Sequence, residues 1–187
     1  RRVCTDHTPL SATWTNVSLG AARFEDQRGT LFMSASSGAS PNIRAAVRSA
    51  PATPYVLTTC ITPLLHLGTA ASVCGAGWRN SGAGQLALAL VYATSTGPRI
   101  AIGKYNSPTS WDSHYLNVPA YLTPFMFLRL EDNGTNRRVG ISQDGENFMY
   151  LHSVARTDFI TNPDQLCILV DPESVGAAMR VLSWKIE

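Results

Sequence analysis

The stretch from Tyr105 to Tyr115 combines ring side chains with polar groups that could hold a polyhydroxylated ligand. It reads Tyr-Asn-Ser-Pro-Thr-Ser-Trp-Asp-Ser-His-Tyr and carries Tyr105, Trp111, Asp112, His114 and Tyr115. An aromatic ring offers an apolar platform, and carboxylate, amide and imidazole groups exchange hydrogen bonds with hydroxyls. A sugar ring asks for both. Aromatics in a polar loop are therefore candidates for recognition, and Trp78, Arg79 and Asn80 form a second such patch. The competing reading is that Trp111 and Trp78 cover the edges of the core or a subunit interface.

Other chemistries find less support. Glycoside hydrolysis needs two carboxylates facing each other across a cleft, whereas Asp132, Asp144, Glu146, Asp164, Asp171 and Glu173 sit in turn-like segments. No Gly-x-Ser-x-Gly elbow is present, and His7, His66, His114 and His152 stand in no nucleophile context. No catalytic residue is assigned, and the chain is expected not to be an enzyme. Asp132, Asn133 and Asp144 could supply hard oxygens to calcium. The same residues suit hairpin turns that need no metal, so neither metal nor cofactor is expected. Cys4, Cys60, Cys74 and Cys167 form no CxxC pair and fit no zinc spacing. Cys60 and Cys167 lie inside strand-like runs, where a thiol behaves as a small apolar side chain. Reduced structural thiols are expected, which suits assembly in a reducing cytosol.

The elements that position these groups follow from composition and period. The 187 residues are 44% hydrophobic and 15% charged, with a formal net charge of +2. That is enough apolar material for one core and too little charge for a disordered chain. The basic residues are scattered, with the densest run at Arg137-Arg138 beside a turn, read as a solvated strand end. Nucleic acid is not an expected partner. No run reaches the roughly 18 to 20 apolar residues of a membrane-spanning helix.

Leu86, Leu88, Leu90 and Tyr92 alternate with Ala87, Ala89 and Val91. Period two puts large side chains on one face and small ones on the other, which marks a strand despite the helix-forming residue types. Further strands are read over 55–62, 99–105, 125–131, 138–142, 147–153, 165–170 and 180–186. Turns at Asp132-Asn133-Gly134 and Asp144-Gly145 separate three of them. Residues 34–41 read as a mobile loop, and 42–49 as a short helix or an irregular strand. The Ser-, Ala- and Gly-rich residues 1–50 suggest an N-terminal arm with the first strands, ahead of a sandwich core over 51–187. Short strands with turn punctuation make a sandwich or barrel in one domain.

The C-terminal part resembles a known family. Leu128 to Asn136 runs into Val139 to Phe148, followed by Arg156-Thr-Asp-Phe-Ile160 and the terminal Leu182-Ser-Trp184. This ladder is similar to that of concanavalin-A-like jelly-roll domains found in bacteriophage tail, fibre and other virion proteins, and 77–86 looks like the matching earlier hairpin. The resemblance spans about residues 75–187. It implies an all-β jelly-roll sandwich of two antiparallel sheets, with Phe148 returning to the core and Trp184 plugging the gap between sheets. The Glu-x-Asp-x-x-Glu motif of some enzymes on this fold is absent. The function implied is a non-enzymatic, lectin-like module on a virion, assembled in the host cytoplasm. It would bind host-surface carbohydrate for attachment, contact other virion proteins and form a homo-oligomer. Two alternatives stand beside it: a purely structural decoration or joint protein, and a carbohydrate-binding module of a larger enzyme.

Overall fold

A computed structural model describes residues 14–17, 22–27, 29–66 and 71–187. Every regular element among them is a strand. In chain order these are β1 (Thr15–Val17), β2 (Arg23–Gln27), β3 (Thr30–Ala35), β4 (Arg44–Ser49), β5 (Tyr55–Leu65), β6 (Ser72–Arg79) and β7 (Leu86–Thr94). Then follow β8 (Gly97–Ser107), β9 (Ser110–Pro119), β10 (Met126–Asp132), β11 (Asn136–Ser142), β12 (Met149–Ala155), β13 (Gln165–Asp171) and β14 (Ala177–Ile186). They form two antiparallel seven-stranded sheets, ordered β1-β4-β13-β6-β7-β8-β9 and β12-β11-β10-β5-β14-β3-β2. The chain is a concanavalin-A-like jelly-roll sandwich. His7 and Cys4 lie outside the described residues.

The core between the sheets follows from alternation. Leu57 and Ile61 on β5, Leu128 and Leu130 on β10, and Met179 and Val181 on β14 meet Ala76, Ala89, Ile102 and Ile168 from the first sheet. Trp184 plugs this layer as expected, edge-on against Trp14 with ring centroids 5.6 Å apart. Phe148 corrects its expectation: it is half-buried and lies 3.6 Å beneath the Arg129 guanidinium instead of entering the core. Arg129 alternates with the inward Leu128 and Leu130, so its stem and Phe148 pack on the outer face of the second sheet.

A second apolar cluster lies on the outer face of the first sheet. There Leu86, Leu88, Leu90 and Tyr92 of β7 join Val47, Val73, Ala101, Tyr105, Cys167 and Leu169. The small side chains of β7, Ala87, Ala89 and Val91, face the opposite sheet. Along β7 and β13 both faces of this sheet are thus buried, which is why these strands read as near-continuous apolar runs.

Three local readings resolve or change. Residues 42–49, left between helix and strand, contain β4, which pairs with β1 and β13. The loop read over 34–41 begins inside β3, which ends at Ala35. Arg137 is not solvated. It is 2% exposed, and its guanidinium lies 5.5 Å from the Trp78 ring centroid and donates to the Asp158 carbonyl.

Candidate ligand pocket on the outer face of the first sheet

The polar stretch 105–115 is a hairpin and not a loop. β8 and β9 turn over at Pro108 and Thr109, and their register shifts three times, twice through an extra residue on β9 and once, beside the turn, through Asn106 on β8. Gly103 pairs with His114 and Ile102 with Leu116, which leaves Tyr115 as an extra residue. Tyr105 pairs with Trp111 and Lys104 with Ser113, which leaves Asp112 as another. Each bulge re-aims the side chains around it.

The bulges sort the five candidates of this stretch into two groups. Tyr105, Trp111 and His114 line one pocket on the outer face of the first sheet. Asp112 and Tyr115 turn toward Lys104. Its Nζ lies 3.7 Å from the Asp112 carboxylate and 4.7 Å from the Tyr115 ring centroid. Tyr115 then stacks on His152 of β12, with centroids 4.6 Å apart, and donates its hydroxyl hydrogen to Asp158 at 2.8 Å. It joins the edges of the two sheets.

The second patch, Trp78 with Arg79 and Asn80, is not a surface. Trp78 is 3% exposed and belongs to the inter-sheet core, because β6 alternates and Cys74, Ala76 and Trp78 share its inward face. Arg79 donates to Gln165 on the neighbouring β13. Asn80 caps the β6–β7 turn, its Oδ1 accepting the Ala83 N–H at 3.0 Å. The oxygens considered for calcium are likewise engaged in local structure. Asp132 is buried against Arg156 at 2.9 Å, Asn133 accepts the N–H groups of Thr135 and Asn136, and Asp144 accepts those of Glu146 and Asn147. Among the described residues no cluster of three or more His, Cys, Asp or Glu could hold a metal.

The pocket encloses about 400 Å³, within the range of small-ligand sites. Val73, Leu90 and Tyr92 form its base on β6 and β7, and Tyr105, Trp111 and His114 come from the β8–β9 hairpin. Ser40 and Pro41 of the β3–β4 loop, Ala71 and Glu173 complete the lining. The Ile43 N–H donates to the Pro108 carbonyl at 2.9 Å, so loop and hairpin tip meet over this face. Gly103 leaves room for the arrangement. A Cβ there would stand 3.0 Å from both the Tyr105 ring and the Leu90 side chain, so a larger residue would push against the phenol that leans across the strand. Trp111, half exposed, tilts against His114 with centroids 5.5 Å apart.

Sequence reading missed Tyr92 and Glu173. Glu173 was read as an ordinary turn acid, yet it sits at φ 40°, a left-handed backbone uncommon for non-glycine residues. Its Oε2 accepts the Ala71 N–H at 3.1 Å, and its own N–H donates to Asp171 at 3.2 Å. Asp171 also accepts the Asn42 N–H at 3.0 Å. The two acids therefore tie together the three segments that wall the pocket. Burial raises the Glu173 pKa and pushes Asp171 up to about 6. Tyr105 is raised by burial and then by these two carboxylates. Burial, with Arg99 nearby, lowers His114 and favours its neutral form.

No protein-family model matches the chain, and no curated protein does either. Solved structures share the fold. Lectin I-B4 from Griffonia simplicifolia, in its metal-free form, is 13% identical with a TM-score of 0.57, covering 96% of this chain and 94% of its own. The CBM2 module of the evolved Dit of Lactobacillus casei BL23 phage J-1 is 6% identical with a TM-score of 0.56, over 86% and 80% of the two chains. The Bacteroides ovatus xyloglucan PUL protein GH43B is 11% identical with a TM-score of 0.68 over 94% of this chain, which spans only 36% of that protein. At such identities the likeness establishes the architecture.

Proposed function

We propose that this chain is a non-enzymatic glycan-binding module, displayed on a virion or its appendage and used for attachment to host-surface carbohydrate. The observation that carries the reading is the convergence of Trp111, Tyr105, Tyr92 and His114 on one pocket walled by Glu173. Aromatic platforms beside hydrogen-bonding groups are what a sugar ring requires. The virion setting draws support from the likeness to a module of a phage Dit protein. The test is binding of the labelled protein to a broad bacterial glycan array, with Trp111→Ala alongside. Specific binding that the substitution removes supports the reading, and silence across the array in a folded protein sinks it.

A separate observation favours a structural role through protein contacts. Tyr121 is 95% exposed and Met149 60%, and both border a depression of about 320 Å³ with Gln143 and Asn147. Exposed apolar groups gathered this way mark protein contact surfaces. Light scattering that finds a stable homo-oligomer dissociated by Tyr121→Ser would favour this second reading, with other virion proteins as the further partners.

A further inference from the structure

We propose that the pocket selects sugars carrying a free ammonium group, unacetylated amino sugars, over neutral and acidic ones. This rests on the glycan-binding reading and specifies its ligand class. Three aromatic side chains, Tyr92, Tyr105 and Trp111, line a pocket in which, among the described residues, the one charged lining group is the carboxylate of Glu173. Rings that present their negative faces beside a carboxylate attract a desolvated ammonium.

Asp171 adds a second, independent sign. It pairs across the ladder with Val73, a pocket residue, and directly opposed residues of an antiparallel pair point to the same face. Asp171 is 0% exposed, and its Oδ2 has no hydrogen-bond partner among the described residues, although Oδ1 accepts two backbone N–H groups. A buried carboxylate oxygen without a donor is costly, and a cation bound a few ångströms away relieves that cost.

The neighbouring charges leave this field in place. Arg99 acts on His114, and its guanidinium donates to the Asn117 side chain at 2.6 Å and to the Asn117 carbonyl. Arg44 on β4 also acts on Asp171 and only partly offsets its burial. Among the described residues, no lysine or arginine lines the pocket. An acidic sugar would meet Glu173 and Asp171 with like charge, which is how a site rejects as well as selects.

Titration calorimetry at pH 7.5 and low salt tests the proposal with hexoses of gluco, galacto and manno configuration. Each is supplied as the 2-amino, 2-acetamido and parent 2-hydroxy sugar, with the matching uronic acids. At least one amino sugar should bind tenfold or more tightly than its acetylated and parent forms. Glu173→Gln and Asp171→Asn keep the acceptors for the Ala71, Asn42 and Glu173 N–H groups, and each should reduce that preference several-fold. Binding of the amino sugar should also weaken as the pH falls through 6. Equal or tighter binding of the acetylated, neutral or acidic sugars overturns the proposal while the glycan reading stands. So does a preference unchanged in both variants. A short lysine peptide that binds where no amino sugar does overturns it in favour of a polypeptide amine. Silence here together with silence on the glycan array removes both readings at once.

Discussion

The indole Nε1 of Trp78 donates to the Tyr55 hydroxyl at 3.1 Å inside the sandwich, tying β6 of one sheet to β5 of the other. Both residues are buried, and burial, with the charge of Asp132, pushes the Tyr55 hydroxyl up to about 12. Trp78→Ala is therefore expected to destabilise the fold by about 3–5 kcal/mol. Tyr55→Phe, which strands the indole N–H, should cost about 1–3 kcal/mol. Urea unfolding followed by tryptophan fluorescence measures both. A Trp78→Ala protein as stable as the parent would contradict the placement of this ring.

Trp111 should behave oppositely. It is half exposed and touches the pocket, so Trp111→Ala should change stability by no more than about 0.5 kcal/mol. Affinity for a ligand of the pocket should fall at least tenfold, which is about 1.4 kcal/mol. Asp112→Ala, on the opposite side of β9, should leave that affinity unchanged. Parallel titrations of the two variants decide the point, and equal losses would mean that the bulges do not divide the site.

Asp171 predicts a pH signature. Its folded-state pKa of about 6 lies above the value near 3.9 of an unfolded aspartate. Between those values the folded chain holds the proton more tightly, so stability from this group is present at low pH and lost as pH rises through 6. The gap corresponds to about 3 kcal/mol at most. Asp171→Asn should accordingly be more stable than the parent at pH 7.5, with the difference shrinking toward zero by pH 4.5. Urea titrations at the two pH values test this; a difference independent of pH would rule it out.

Cys74 and Cys167 are fully buried free thiols. Burial alone raises Cys74, and it pushes Cys167 up to about 12. Only the thiolate reacts readily. Peptide mapping after iodoacetamide treatment at pH 8 should find both unmodified in the native protein and both alkylated in urea. Alkylation of either in the native state would show that its layer opens.

Much of the architecture was legible residue by residue. The alternation from Leu86 to Tyr92, the Asp-Asn-Gly turn after β10 and the terminal Trp184 are short-range signals, since period two and positive-φ turns are written into neighbouring residues. Tyr105, Trp111 and His114 were recognised by residue type, and they line one pocket. Their neighbours Asp112 and Tyr115 were grouped with them because adjacency in sequence hides a bulge. The slips in β9 arise only from its pairing with β8.

By itself, then, the sequence determined an all-β chain, its turn positions and the residue types able to meet a sugar. Tertiary structure decided which side each of them faces. The large side chains of β7 point away from the opposing sheet and pack with Val47, Val73, Ala101 and Leu169 of neighbouring strands on the outer face of their own sheet. Arg137 and Trp78 are buried because strands far apart in sequence close over them. Glu173 became a pocket acid, held by the buried Asp171, only when the β3–β4 loop and the turn after β13 were brought together. A local pattern sets the period of a strand, whereas the layers packed on its two faces come from distant parts of the chain.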